Sequence, residues 1–346
     1  MAFWLDVAAF ALKSLLIVAA LGGLIGFVAL IARRMRGGGE PDEPRLAVRS
    51  LDERYDAMRD AIEDRLVDKK GRKALAKARR KEAKAAAKAA PERAAAKRVY
   101  VLAFKGDLRA SAVKKLATEI DAVLMVARPQ MDEVVLRVES AGGTVTGYGL
   151  AAAQLTRLRD RKVKVTACVD QVAASGGYLM ACAADQIVAA PFAILGSIGV
   201  VAQVPNLHRL LKKNDIDFEE MTAGEFKRSV SVLGEITPEG REHFRGKLGS
   251  THEAFKRFVQ QCRPGVDIAR VGDGDVWLGA EALSLGLVDA LSTSDELLFS
   301  ARGEARLYEI ALEQRKPLVQ QILSGFGVAA RSAIESAMTR LGGAPK

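Results

Sequence analysis

A chain of 346 residues with a formal net charge of +10 is long enough for about two domains, or for one large α/β domain with appendages. Its three cysteines, Cys168, Cys182 and Cys262, are widely spaced and odd in number, which excludes a disulfide framework and a C-x-x-C zinc or redox centre. The positive charge is concentrated: residues 69–98 hold 13 basic and 2 acidic side chains, so basicity belongs to one arm, and the rest of the chain is close to neutral.

In chain order, the first element is an uncharged run of nineteen residues, Ser14 to Ala32 (SLLIVAALGGLIGFVALIA). At about 1.5 Å per residue it matches a hydrocarbon core of about 30 Å, so it is expected to be a single transmembrane helix. A cleaved signal peptide fits less well, because the run is long and no small-x-small site precedes Arg33-Arg34-Met35-Arg36. Those arginines outweigh the Asp6 and Lys13 flank, and the charge rule then puts the body in the cytoplasm. Leu51 to Leu66 repeats apolar residues at three- and four-residue steps, predicting a short amphipathic helix. Lys69 to Lys97 is nearly all Ala, Lys, Arg and Glu, broken at Pro91. Such a run predicts a helical or unstructured spacer. It can approach anionic lipid, and its lack of aromatics argues against nucleic acid.

Beyond Arg98, β-rich runs at 99–104, 134–138, 163–169, 186–190 and 198–204 alternate with helical patterns near 110–127, 146–160, 175–184 and 206–213. The alternation predicts an α/β body with mainly parallel strands. Thr237-Pro238-Glu239 opens a long helix toward Arg263 with a cap and a first-turn proline. From Pro317 to Leu341 a further amphipathic pattern, interrupted by Gly325 and Gly327, predicts a helix that docks on a second copy or a membrane surface. The expected division is an anchor and basic flank at 1–36, a charged spacer at 37–98, the body at 99–302 and a tail at 303–346.

The chemical signal lies in the body. Ser175, within Ala173-Ala174-Ser175-Gly176-Gly177, stands between a strand and a helix among small neighbours that leave its hydroxyl open. Serine at such a place is also an ordinary helix cap. Ser140-Ala141-Gly142-Gly143 follows an earlier strand, and paired glycines let backbone N–H groups approach a ligand. With the Gly176 amide at a helix start, Gly142 and Gly143 are candidate oxyanion donors. Lys227, in Ala223-Gly224-Glu225-Phe226-Lys227-Arg228, is a candidate base. An amine with a reference pKa near 10.4 accepts a proton at neutral pH only when desolvated. Among the histidines, His243 and His252 fall on a mostly polar helix and read as surface residues, and His208 opens an ordinary helix.

The ordered set SAGG (140–143), AASGGYLMAC (173–182), APFAILGSIGVV (190–201), AGEFKR (223–228) and VWLGAEALSLGLVDAL (276–291) resembles the SohB branch of the signal peptide peptidase A family over about residues 99–300. The resemblance implies a ClpP/crotonase-like α/β superfold and a serine endopeptidase in which Ser175 is the nucleophile, Lys227 the base and Ser197 the group that positions the lysine amine. It implies Gly142 and Gly143 as the oxyanion loop, with Gly143 preferred, and a homo-oligomeric ring that shares the dyad between subunits. It also implies peptide or protein substrates, an acyl-enzyme, no metal or organic cofactor, and the bacterial inner membrane. Ala141 stands where the family usually has proline, a change that leaves the backbone donors in place. The family layout puts the catalytic body outside the cytoplasmic membrane, opposite to the side the charge rule assigns. Two other classes stay open on the residues alone: an acyl-CoA enzyme of the same fold, and a catalytically silent membrane scaffold whose basic arm binds lipid or nucleic acid.

Overall fold

The computed structural model describes residues 22–23, 44–88, 95–224 and 226–313. Almost all of the apolar run at 14–32, and all of the tail pattern at 317–341, lie outside the described residues. Among the described residues no helix is long and apolar enough to cross a membrane. Residues 46–312 form one compact unit.

Strand β1 (Arg45–Ser50) runs directly into α1 (Leu51–Leu66), whose cap is Ser50, accepting from the Glu53 amide at 3.2 Å. Helix α2 (Lys69–Lys88) follows, as expected from its strong helix formers. The body then alternates: β2 (Lys97–Lys105), α3 (Val113–Leu124), β3 (Glu133–Glu139), α4 (Val145–Asp160), β4 (Lys164–Val169). Next come β5 (Val172–Ala174), α5 (Gly176–Cys182), β6 (Gln186–Ala189), β7 (Ile194–Gly196) and α6 (His208–Lys213). The long α7 (Pro238–Cys262) begins with Thr237 capping the Gly240 amide and Pro238 in the first turn, as the sequence predicts. Short elements α8 (Ile268–Val271), β8 (Val276–Leu278), α9 (Gly279–Ser284), β9 (Ala290–Leu291), α10 (Ser294–Ser300) and β10 (Ala305–Glu313) complete the fold.

These strands make a seven-stranded sheet in the order β1-β10-β2-β3-β4-β6-β9 and a three-stranded sheet in the order β5-β7-β8. From β10 through β9 the neighbours of the large sheet are parallel. Because successive side chains of a strand point to opposite faces, β2 supplies two cores. Tyr100, Leu102 and Phe104 join the larger cluster, with Leu116, Ile120, Leu155 and Met180. Val99 and Val101 join the smaller one, with Leu51, Leu298 and Leu307. Burial on both faces is what a parallel sheet requires.

Arg45–Leu66, which the sequence reading places in the spacer, packs on this body. Leu51 is buried, Tyr55 meets Phe299 edge-on at 5.8 Å, Asp56 pairs with Arg302, and the Leu307 amide donates to Asp52 at 3.0 Å. The expected strand at 198–204 does not form: those residues are irregular, and Val201 is 80% exposed. Its apolar β-formers have no partner strand, and β-propensity without one does not make a strand.

Glu119 on α3 is buried, accepts from the Leu312 amide at 2.7 Å and stands 3.7 Å from Lys115. Burial pushes its carboxyl above the usual range, against the opposing hydrogen bond and lysine. A raised folded-state pKa means that this group's stabilisation is present in acid and lost as pH rises through that pKa. Glu119→Gln keeps an acceptor for Leu312 and removes the charge. Its melting temperature should therefore gain on wild type as pH is raised from about 5 to about 9, which thermal unfolding across that range checks.

Candidate active site

The sheet registers bring the two candidate serines together. Strands β5 and β7 are parallel, with Ala174 opposite Gly196, so the residues just beyond, Ser175 and Ser197, lie abreast where both strands end. The Ser175 amide donates to the Gly196 carbonyl at 2.8 Å, and the Ser197 amide donates to the Asp275 carbonyl at 2.6 Å. Both serines have a φ of 51°, a left-handed conformation that L-residues with a side chain seldom adopt and that surrounding structure must enforce. Ser175 sits in the cap position of α5, yet its side chain makes no capping hydrogen bond. The ordinary reading of this serine as a helix cap therefore fails; the residue is half-buried, and its hydroxyl has no hydrogen-bond partner among the described residues.

The Ser140–Gly143 loop packs against the start of α5. Gly142 has a φ of 92°, and a Cβ there would fall 2.7 Å from the Gly176 nitrogen and 2.8 Å from the Ser175 Cβ. Only glycine fits. The Gly142 amide is itself engaged, donating to the Ser140 hydroxyl at 3.0 Å. Among the described residues, neither the Gly143 amide nor the Gly176 amide has a hydrogen-bond partner. Two open donors thus flank Ser175, and one of them begins a helix, where the dipole favours negative charge. A Cβ at Gly176 would stand 2.5 Å from the Tyr148 ring, so this close approach also depends on glycine.

A buried network missing from the sequence reading holds the loop. Tyr148 on α4, fully buried, donates to the Asp107 carbonyl at 2.9 Å and pairs with the Ser140 hydroxyl at 2.5 Å. Burial raises the Tyr148 phenol above its ordinary pKa, keeping it a neutral donor. Its sequence signal is only an aromatic in an amphipathic helix, which normally denotes core.

Ser175, Gly143 and Gly176 open onto one cavity of about 480 Å³ between α4 and α7, its walls including Val145, Leu179, Phe255 and Phe258, with Thr156 and Asp160 also lining it. Largely apolar lining with a few convergent polar groups is the common form of a ligand cleft. His252, expected at the surface, instead reaches the Ile198 carbonyl through Nε2 at 2.9 Å and ties α7 to the turn that carries Ser197. Lys227 is not brought to the cavity within one chain. It is exposed in an irregular segment, its amide donating to Gly224 at 3.1 Å. The adjoining Phe226 stacks on His243 of α7, ring centres 3.9 Å apart. His208 only opens α6, its amide donating to Asn206. Among the described residues no group of acidic, histidine or cysteine side chains is arranged to hold a metal ion.

This geometry, a strained strand-end serine between open amides, is what an acyl-transferring hydrolase uses, and comparison with known proteins gives the class. Residues 2–155 match the N-terminal model of peptidase family S49, and residues 157–308 match the peptidase family S49 model itself. The chain is 52% identical over 240 residues to the probable protease SohB of Haemophilus influenzae, a match covering 69% of this chain and 66% of that protein. It is 49% identical over 225 residues to the probable protease SohB of Buchnera aphidicola, covering 65% and 67%. Among solved structures, the 1510-N membrane-bound stomatin-specific protease, a mutant in complex with a substrate peptide, aligns over 66% of this chain and 98% of its own. Its identity is 16% and its TM-score 0.40. The chain belongs to peptidase family S49, and within it to the SohB type. The matched stretch spans about two thirds of the length of these relatives.

Tyr148→Phe removes the hydroxyl that links Asp107 to Ser140 while leaving the packed ring. Losing such an outer support commonly costs about tenfold or more. The rate at which a fluorophosphonate probe labels Ser175 should therefore fall roughly tenfold, with the melting temperature changed far less than by Gly176→Ala, which drives a methyl group into the ring.

Proposed function

We propose that this chain is a membrane-anchored serine endopeptidase that cleaves exposed peptide segments through an acyl-enzyme, on a ClpP/crotonase-like scaffold. The observation that carries the reading is Ser175, held at φ 51° beside two open amides at the mouth of an apolar cavity. In this mechanism the Ser175 hydroxyl attacks the scissile carbonyl, and the Gly143 and Gly176 amides receive the oxyanion. The amine of Lys227 takes the serine proton and returns it to the leaving amine, and water then repeats the cycle on the ester. Ser197, abreast of Ser175, orients the amine.

The lysine comes from a neighbouring copy. In support, Lys227 is exposed and stands apart from the cavity of its own chain. The segment around it also carries exposed apolar side chains, with Met221 89%, Phe226 44% and Val232 42% exposed. Burying that surface against a second copy dries the amine, the condition under which it acts as a base. The apolar run at 14–32 anchors the assembly in the bacterial inner membrane. The chain needs no metal or organic cofactor for this chemistry.

Fluorophosphonate labelling tests the reading. Ser175→Ala should lose all labelling and turnover. Lys227→Ala and Lys227→Arg should each lose more than about a thousandfold in turnover while remaining folded. Ser197→Ala should keep weak activity. Labelling that survives Ser175→Ala removes Ser175 from the chemistry.

Mixing tests the shared site. Co-assembled Ser175→Ala and Lys227→Ala chains should recover up to about a quarter of wild-type turnover, since random pairing leaves that fraction of interfaces with both groups intact. Turnover that stays at the level of the separate variants places serine and lysine in one chain.

A further inference from the structure

The apolar stripe of α1 runs past the body that covers its first turns. At the helical steps that share one face, Leu51 and Tyr55 are packed against the body, through the small core and Phe299. The next members, Met58, Ile62 and Leu66, are 55%, 62% and 78% exposed, and Phe299 beside Tyr55 is 55% exposed. The acidic residues of α1 lie on another side, where Arg79 of α2 reaches Asp60 at 3.1 Å, Glu63 at 3.0 Å and Asp64 at 2.9 Å. This clamp makes a hairpin of the two helices and engages three of the six acids of α1, with Arg59 adding contacts to Asp56, Asp60 and Glu63.

Exposed basic groups remain on both helices. Arg54 and Arg65 flank it, both exposed and without an ion pair among the described residues. Apart from Arg79, the basic side chains of α2 as far as Lys84 are likewise exposed and make no ion pair among the described residues.

We infer that the α1–α2 hairpin docks on an anionic phospholipid surface, Met58, Ile62 and Leu66 entering the headgroup boundary beside Arg54 and Arg65 while the basic excess of the hairpin draws it to the phosphates. An apolar stripe with unpaired Arg54 and Arg65 beside it, on a hairpin whose basic side chains outnumber its acids, is the composition of an interfacial helix, and each basic side chain near the surface adds attraction to an anionic leaflet. Charge complementarity selects this occupant over a second copy, because stripe-to-stripe pairing would set arginine and lysine against their own kind. Aliphatic side chains, with no aromatic on α2 to stack on bases, select it over nucleic acid. The hairpin therefore fixes how the body stands on a membrane, independently of whether the 14–32 run spans it and of the peptidase chemistry.

The test uses the full chain carrying Ile62→Cys in a Cys262→Ser background, labelled at residue 62 with an environment-sensitive fluorophore. The labelled chain is reconstituted into vesicles of phosphatidylcholine alone or of phosphatidylcholine and phosphatidylglycerol at about 7:3, each with spin-labelled lipid as quencher. Quenching should be at least about fivefold stronger in the anionic vesicles and be abolished in about 0.5 M salt. A fluorophore at exposed Val232, introduced by Val232→Cys, should show no such difference. Replacing the basic residues 69–84 other than Arg79 by Gln should bring the residue-62 signal in anionic vesicles down to that in neutral ones. Equal quenching in the two vesicles, or none in either, overturns the proposal. So does a disulfide between two unlabelled residue-62 cysteines under oxidation, which assigns the face to a second copy.

Discussion

The site depends on one short pairing: Ala174 of β5 beside Gly196 of β7, closed by the Ser175 amide on the Gly196 carbonyl at 2.8 Å. A three-residue strand is too short to hold a strained residue alone. Here it is buttressed on the other side, where the Ser140 amide donates to Val172 and the Ala174 amide donates to Ser140. The backbone of Ser175 is thus fixed from both flanks, so a conformation that costs on the order of 1–3 kcal/mol persists. Ser175 so held makes no cap to α5 and lines the cavity.

Small residues and one tyrosine translate this backbone into a site. Gly142 and Gly176 allow the loop and the helix start to touch, and Tyr148 ties Ser140 to the Asp107 carbonyl beneath them. Ser140 serves two masters, its hydroxyl accepting from Gly142 while it pairs with Tyr148. Engaging the Gly142 amide in this way leaves Gly143 as the loop's open donor. Division of labour between two adjacent glycines, one structural and one exposed, follows from where a single hydroxyl is buried.

Much of this was legible in the sequence, and for identifiable reasons. β2, β3 and β4 read clearly because they are central parallel strands buried on both faces, and α7 read clearly because Thr237 and Pro238 are local signals. The β5-β7-β8 sheet was not legible: strands of three residues have no periodicity to detect, and their register depends on contacts far apart in the chain. Residues 198–204 misled because their composition suits a strand whose partner never arrives. On sequence His252 is one more residue of a polar helix; its contact appears only when α7 crosses the Ile198 turn. Arg45–Leu66 was read as spacer because its burial is supplied by α10 and β10, about 250 positions later.

The exposed apolar side chains near Lys227 and those on α1 differ in their charged neighbours, which suits the two different contacts proposed for them. Around Lys227 the exposed side chains are mixed in charge, with Arg228 paired to Glu220 at 3.1 Å, so two copies can meet there without a net charge penalty. On the α1–α2 hairpin Arg79 engages three of the acids of α1, while the other basic side chains of α2 as far as Lys84 make no ion pair among the described residues, an excess of cations that suits the anionic surface proposed for it. Arg79 and Arg59 together hold Asp60, Glu63 and Asp64 on one side of α1, and Met58, Ile62 and Leu66 stay exposed on another.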